Sequence, residues 1–173
     1  MIIVLIGYMG SGKSSVGKEL ATILNYSFLD LDNYIEDQEN ASISEIFKNK
    51  GELYFRKVES KYLQELLDRS NNLVLALGGG TPCYGNNIEK LQNQKNVNTV
   101  FLQISIPHLV DRLLKEKDKR PLISHIETKA DLQEFVGKHL FERMPFYSKA
   151  QNTVTTDNLT IKQVVKAILL KLF

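Results

Sequence analysis

Apolar residues along this chain fall into short continuous runs separated by stretches of helical spacing. Ile2-Ile3-Val4-Leu5-Ile6 is apolar without alternation, the pattern of a strand covered on both faces. Val16, Leu20, Ile23 and Leu24 recur at helical spacing and predict a first helix ending near Leu24. Phe28-Leu29 is a short second strand that ends at Asp30-Leu31-Asp32. Ser42-Ile43-Ser44-Glu45 matches a capping box and opens a helix that Gly51 ends. Val58, Tyr62, Leu63, Leu66 and Leu67 then form one stripe, predicting a long helix from Glu52 to about Ser70. Leu73 to Leu77 is a buried strand running into Gly78-Gly79-Gly80, and Thr99 to Ile104 is the next strand. Pro107 suits the first turn of the helix that follows. The charged run Lys115 to Arg120, closed by Pro121, predicts an exposed loop. Helical pattern resumes near Lys129 and continues to about Lys149, and Thr153-Val154-Thr155 is a last short strand. Thr160 and Gln163 form a second capping box on a helix lined by Ile161, Val164, Val165, Ile168, Leu169 and Leu172.

Strands alternating with helices predict an α/β fold: an open parallel sheet with helices on both faces. In such sheets ligands bind outside the carboxyl ends of the strands. Those ends are Gly7, Asp30 and Gly78, so three unusual stretches are expected to share one crevice. The 173 residues read as a single domain, 1–173. A net charge of +2 gives no argument for a nucleic-acid or membrane partner. The lone Cys83 excludes an intramolecular disulfide, and the five-residue apolar start is too short for a signal peptide core or a membrane span. A cytoplasmic location and a monomer are the simplest expectations.

The chemistry begins after the first strand. Gly7-Tyr8-Met9-Gly10-Ser11-Gly12-Lys13-Ser14 is GxxxxGK[ST], set between strand and helix as the motif requires. Its glycines let backbone N–H groups approach phosphate at a helix N-terminus. Lys13 can reach β- and γ-phosphates, and the Ser14 hydroxyl suits Mg²⁺. The chain is therefore expected to bind a nucleoside triphosphate.

Nucleotide sites of this kind draw a metal-holding carboxylate from a strand end. Leu73 to Leu77 ends in glycine, which leaves Asp30 and Asp32: Asp30 for the metal, Asp32 for an acceptor hydroxyl, with a solvated turn or helix cap as the plain alternative. Arg56 has Glu59 three residues on, either a surface ion pair or, beside the aromatic pair Tyr54-Phe55, a partly buried guanidinium held in one orientation. Three successive glycines at 78–80 point to a close backbone approach, with a plain loop as the alternative. Cys83 reads as inert, and His108, His125 and His139 show no metal or triad spacing.

Together these motifs resemble the shikimate kinases, over nearly the whole chain. Residues 7–17 are similar to GxMGxGKSTVG with Ser15 in place of Thr, and Asp30-Leu31-Asp32 to the family's DxD. Glu45-Ile46-Phe47, Gly51-Glu52 with Phe55-Arg56 and Glu59, the triple glycine, Arg120-Pro121-Leu122, and Glu142-Arg143 with Tyr147 follow in the family's order. The resemblance implies a three-layer fold with a five-stranded sheet in the order 2-3-1-4-5. It implies transfer of the ATP γ-phosphate to the 3-hydroxyl of shikimate, with Mg²⁺, in aromatic amino-acid biosynthesis. It assigns ATP to Gly10, Ser11, Gly12, Lys13, Ser14, Ser15 and Arg120, and the metal to Ser14 and Asp30. Shikimate falls to Asp32, Arg56, Gly78, Gly79, Gly80 and Arg143, with Phe47 and Phe55 as walls. Lys13, Asp32 and Arg120 carry catalysis, substrate-binding helices span about 32–70, and a lid spans about 115–128. The family's adenine contacts match loosely, near Lys115 to Lys119 and Val154 to Asn158. Other small-molecule kinases would not be expected to combine DxD, FRxxE and the triple glycine, and Asn49-Lys50-Gly51-Glu52 is only a near miss to the NKxD of guanine-reading switches.

Overall fold

In the computed structural model, which describes residues 1–117 and 121–173, five strands form one parallel sheet in the order β2-β3-β1-β4-β5. They are β1 (Ile2–Ile6), β2 (Ser27–Asp30), β3 (Leu73–Ala76), β4 (Val97–Gln103) and β5 (Asn152–Thr155). β1 is central: Ile2 pairs with Leu73 on one side and Val97 on the other, and the parallel register continues from there. Every residue of β1 is buried, so the uninterrupted apolar run has its physical reason.

Alternate residues of β1 feed two cores. Ile3 and Leu5 pack with Val16 and Leu20 of α1 (Lys13–Leu24) and with Val164, Val165 and Ile168 of α8 (Ile161–Leu172). Ile2, Val4 and Ile6 face the larger core, built from α2 (Leu31–Glu39), α3 (Ile43–Arg69), α4 (Asn87–Asn93), α5 (Ile106–Glu116) and α7 (Lys129–Tyr147). The short α6 (Pro121–Ser124) contributes Ile123. The expected fold class and strand order are those observed.

Several boundaries differ from expectation. β2 stops at Asp30, whose carboxylate caps α2 by accepting from the Asp32 amide at 3.1 Å; Asp32 therefore stands in the first turn of a helix, not on the strand. Gly51 does interrupt the helical path (φ 81°, ψ 169°), so α3 is two helical pieces joined at a kink. α4 has no clear signal in the sequence, because only Ile88 and Leu91 supply its buried apolar face. β4 begins two residues before Thr99 and ends at Gln103. Lys115 belongs to α5 rather than to a loop, and Ile123 and Ile126 within the expected lid are buried. Arg120 lies outside the described residues.

Candidate active site

β1 delivers the glycine loop to the carboxyl edge of the sheet. Gly10 and Gly12 take left-handed backbone (φ 79° and 92°), conformations in which a side chain would be strained. That path turns the chain straight into α1, whose first residue is Lys13. Lys13 Nζ donates to the carbonyls of Gly7 at 2.9 Å and Tyr8 at 3.0 Å, so its ammonium lies over the loop. Ser14 and Ser15 are exposed on the first turn of α1. Ser11 is buried and its hydroxyl faces Gly7, where an added Cβ would come within 2.7 Å.

Ser14 Oγ donates to Asp30 Oδ2 at 2.7 Å, which links the helix start to the end of β2. These two oxygens are hard donors of the kind Mg²⁺ takes, an ion that accepts one or two protein oxygens and completes its shell with water and phosphate. Among the described residues no group of three or more His, Cys, Asp or Glu side chains could hold a metal alone. Asp30 thus both caps α2 and accepts from the Ser14 hydroxyl.

Asp32, Arg56 and Arg143 converge on the three glycines. A Cβ at Gly78 would meet Asp32 Oδ1 at 2.7 Å, one at Gly79 would meet Arg143 Nη1 at 3.2 Å, and one at Gly80 would meet Arg56 Nη1 at 3.0 Å. Each glycine makes room for one charged side chain from a different helix. Burial, reinforced by the charges of Asp30 and Glu59, raises the Asp32 carboxyl to about 6, while Lys13 opposes the shift. Its protonation therefore changes close to the working range of an enzyme.

Arg56 donates to the buried Glu59 at 3.0 Å, so the orienting pair is the correct reading of that spacing. The Arg56 guanidinium also lies 4.0 Å from the Tyr84 ring centroid and 5.1 Å from that of Phe55. Phe47 and Phe55 stack with centroids 4.7 Å apart. Arg143 stands 5.4 Å from the Tyr8 ring, and Tyr147 donates to the Gly79 carbonyl at 2.6 Å. An open groove of about 1180 Å³ runs along α3, its walls including Glu52, Arg56, Ser60, Tyr84 and Lys90. Arg56 lines this groove, whereas Lys13, Asp32 and Arg143 do not.

Two side chains that touch these residues carry no sequence signal. Tyr84 lies in a loop of ordinary polarity. Arg112, on α5, donates to the Gly10 carbonyl at 3.2 Å and so reaches the glycine loop from across the sheet edge. Cys83 is half-buried and its thiol is pushed up to about 11 by burial, in keeping with an inert side chain. His108 joins the start of α5 to the segment after β5 through Ser105 at 2.8 Å and Asn158 at 2.9 Å. His139 contacts the Tyr8 hydroxyl at 3.3 Å.

A protein-family model described as shikimate kinase matches residues 9–173. This chain belongs to the shikimate kinase family. A shikimate kinase of Flavobacterium johnsoniae is 48% identical over 167 residues, covering 96% of each chain. The crystal structure of shikimate kinase from Bacteroides thetaiotaomicron superposes with a TM-score of 0.90 at 35% identity, over 99% of this chain and 98% of that one. Shikimate kinase from Acinetobacter baumannii, solved in complex with shikimate, gives 0.86 at 34% identity over 99% and 92%. The chain is therefore a kinase of this family, and no helix among its described residues is long and apolar enough to cross a membrane.

Proposed function

We propose that this protein transfers the γ-phosphate of ATP to the 3-hydroxyl of shikimate, a step toward aromatic amino acids. Family membership carries the reaction class. The observation that carries the acceptor is the convergence of Asp32, Arg143 and Arg56 on Gly78, Gly79 and Gly80, two guanidinium groups and one carboxylate around a backbone with no side chains. Two guanidinium groups suit a planar carboxylate, because each can donate in parallel. Hydrogen bonds to charged groups are worth about 1.5–3 kcal/mol each, enough to hold a small polar ring in place.

In this reading the acceptor carboxylate lies against Arg56 and Arg143, and its reacting hydroxyl faces Asp32. The Asp32 carboxylate takes the hydroxyl proton as the acceptor oxygen bonds to the γ-phosphorus and the β–γ bridging bond breaks. Lys13 and the amides of the glycine loop stabilise the charge spread over the transferred group. Ser14 and Asp30 would hold Mg²⁺, which neutralises phosphate charge when bound. Gly10, Ser11, Gly12 and Ser15 complete the nucleotide side, and Arg112 joins it through its contact with Gly10. Arg120 enters on its RPL motif as a phosphate-facing lid residue; loss of turnover in Arg120→Ala tests that role. The chain works as a monomer in the cytoplasm; sedimentation of the purified protein would check the monomer, and fractionation of cells the location.

The deciding experiment measures ADP release with ATP and Mg²⁺, with and without shikimate, beside gluconate and a nucleoside monophosphate. Stimulation by shikimate alone is expected. Stimulation by another acceptor would overturn shikimate as the substrate.

A further inference from the structure

Behind the acceptor side runs a line of buried polar side chains that phosphoryl transfer does not itself require. Thr81, the residue after the triple glycine, is fully buried and its Oγ1 donates to Glu59 Oε1 at 2.6 Å. Glu59 is 1% exposed, and its other oxygen accepts from Arg56 Nη1 at 3.0 Å. Asn87, also fully buried, donates to the Thr81 carbonyl at 2.9 Å and accepts from Ser60 Oγ at 2.7 Å. Lys90 donates to Ser60 Oγ at 2.6 Å, which brings the line to the surface.

The two oxygens of Glu59 are thus gripped by different donors, one on the glycine turn and one on Arg56. That fixes the carboxylate plane, and a fixed plane fixes where the Arg56 guanidinium can point. Without the Thr81 hydroxyl, one oxygen of a buried carboxylate would lose its donor and turn to find another. Arg56 would follow, in a space already narrowed by Gly80 and the Tyr84 ring.

We propose that Thr81, braced by Asn87, is a positioning residue that orients Glu59 and through it Arg56, and so sets selectivity for acceptors bearing a carboxylate. This rests on the reading above in which Arg56 binds the acceptor carboxylate.

The test compares shikimate with its neutral carboxamide as acceptors for the full chain with ATP and Mg²⁺. Thr81→Val is expected to raise the shikimate KM about tenfold while kcat and the ATP KM hold within about twofold. Its kcat/KM for the carboxamide should stay within about twofold of wild type, and Thr81→Ser should restore shikimate use. A purely structural role would lower both acceptors together, and that result, or failure of serine to rescue, overturns the proposal. Should the valine variant not fold, Thr81→Cys keeps the size with a weak donor; its shikimate KM should rise severalfold, and a wild-type value overturns the proposal. Arg56→Lys separates the two levels. If it leaves the preference for shikimate over the carboxamide intact, the reading of Arg56 fails. If it abolishes that preference while Thr81→Val retains it, only the positioning role fails.

Discussion

The two halves of this site are built in different ways. The phosphate side is built mainly from one short segment, Gly7 to Ser15, whose contacts are largely backbone and local: Lys13 reaches back to Gly7 and Tyr8, and Asp30 and Arg112 join from outside it. The acceptor side is made by side chains from α2, α3 and α7 that meet over a glycine turn following β3. Backbone geometry secures the first. The second depends on buried polar partners, Glu59, Thr81 and Asn87, that never appear at its surface. A local cradle tolerates change around it, whereas an assembled pocket is sensitive to residues some distance behind it.

The largest effect should come from the phosphate side. Lys13→Ala removes the one ammonium placed by the loop and should lower kcat by about 10²–10³ while the far-UV circular dichroism stays that of the wild type. The fold should survive because the loop path is set by Gly10 and Gly12 and by the packing of α1, not by the ammonium. Wild-type turnover would erase the distinction between the two halves.

Arg56→Lys probes the other half by keeping charge and removing fork geometry. The shikimate KM should rise about tenfold with the ATP KM unchanged, since the lysine cannot donate in parallel to a carboxylate. Equal changes in both KM values would mean that the halves are not separate.

These halves also differ in how plainly they were written in the sequence. The glycine loop was legible because its function belongs to contiguous residues in a fixed order. The sheet was legible from the continuous apolar runs, above all Ile2 to Ile6, which only two-sided burial explains. Asp30 stands at the strand end the sequence indicates, whereas Asp32 belongs to the next element, because a strand end and a helix first turn look alike where Asp30 caps the helix it precedes. Tyr84 and Arg112 leave no mark in the sequence because their contacts are tertiary: nothing near Tyr84 in the chain announces Arg56, and nothing near Arg112 announces Gly10. Thr81 and Asn87 carried no signal for the same reason.

Asp32→Asn sharpens the comparison through stability. The Asp32 carboxyl titrates at about 6 in the folded protein against 3.8 for the free group. The folded state therefore holds its proton more tightly, and stability falls as pH rises from 3.8 to about 6. Above that range the buried charge costs on the order of 2–3 kcal/mol, which asparagine should return. Urea unfolding at pH 7 should show the variant to be more stable than wild type, with the advantage gone below about pH 4. The same group should give kcat/KM an acid limb near pH 6 in the wild type. A variant less stable than wild type at pH 7 would place Asp32 among the supports of the fold rather than among its strained functional groups.

The smallest effect is expected outside both halves, at the joint that carries Asp32 and Arg56 together. Glu39, at the end of α2, accepts from Tyr54 at 2.7 Å and Tyr62 at 2.8 Å and pairs with Lys50 at 3.0 Å, all on α3. These hydrogen bonds hold its carboxyl down at about 2 against an ordinary 4.5. Here the sign is opposite to that of Asp32: the contribution to stability is complete above 4.5 and is lost as pH falls toward 2. Glu39→Gln should lower the melting temperature at pH 7 by about 2–4 °C, and the gap from wild type should close as acid protonates the carboxyl. Because the joint sets the angle between two helices rather than any single contact with a substrate, kcat should change less than twofold, or about 0.4 kcal/mol. A larger loss of kcat than of stability would mean that the acceptor side is aligned from α2 as well as from behind Arg56.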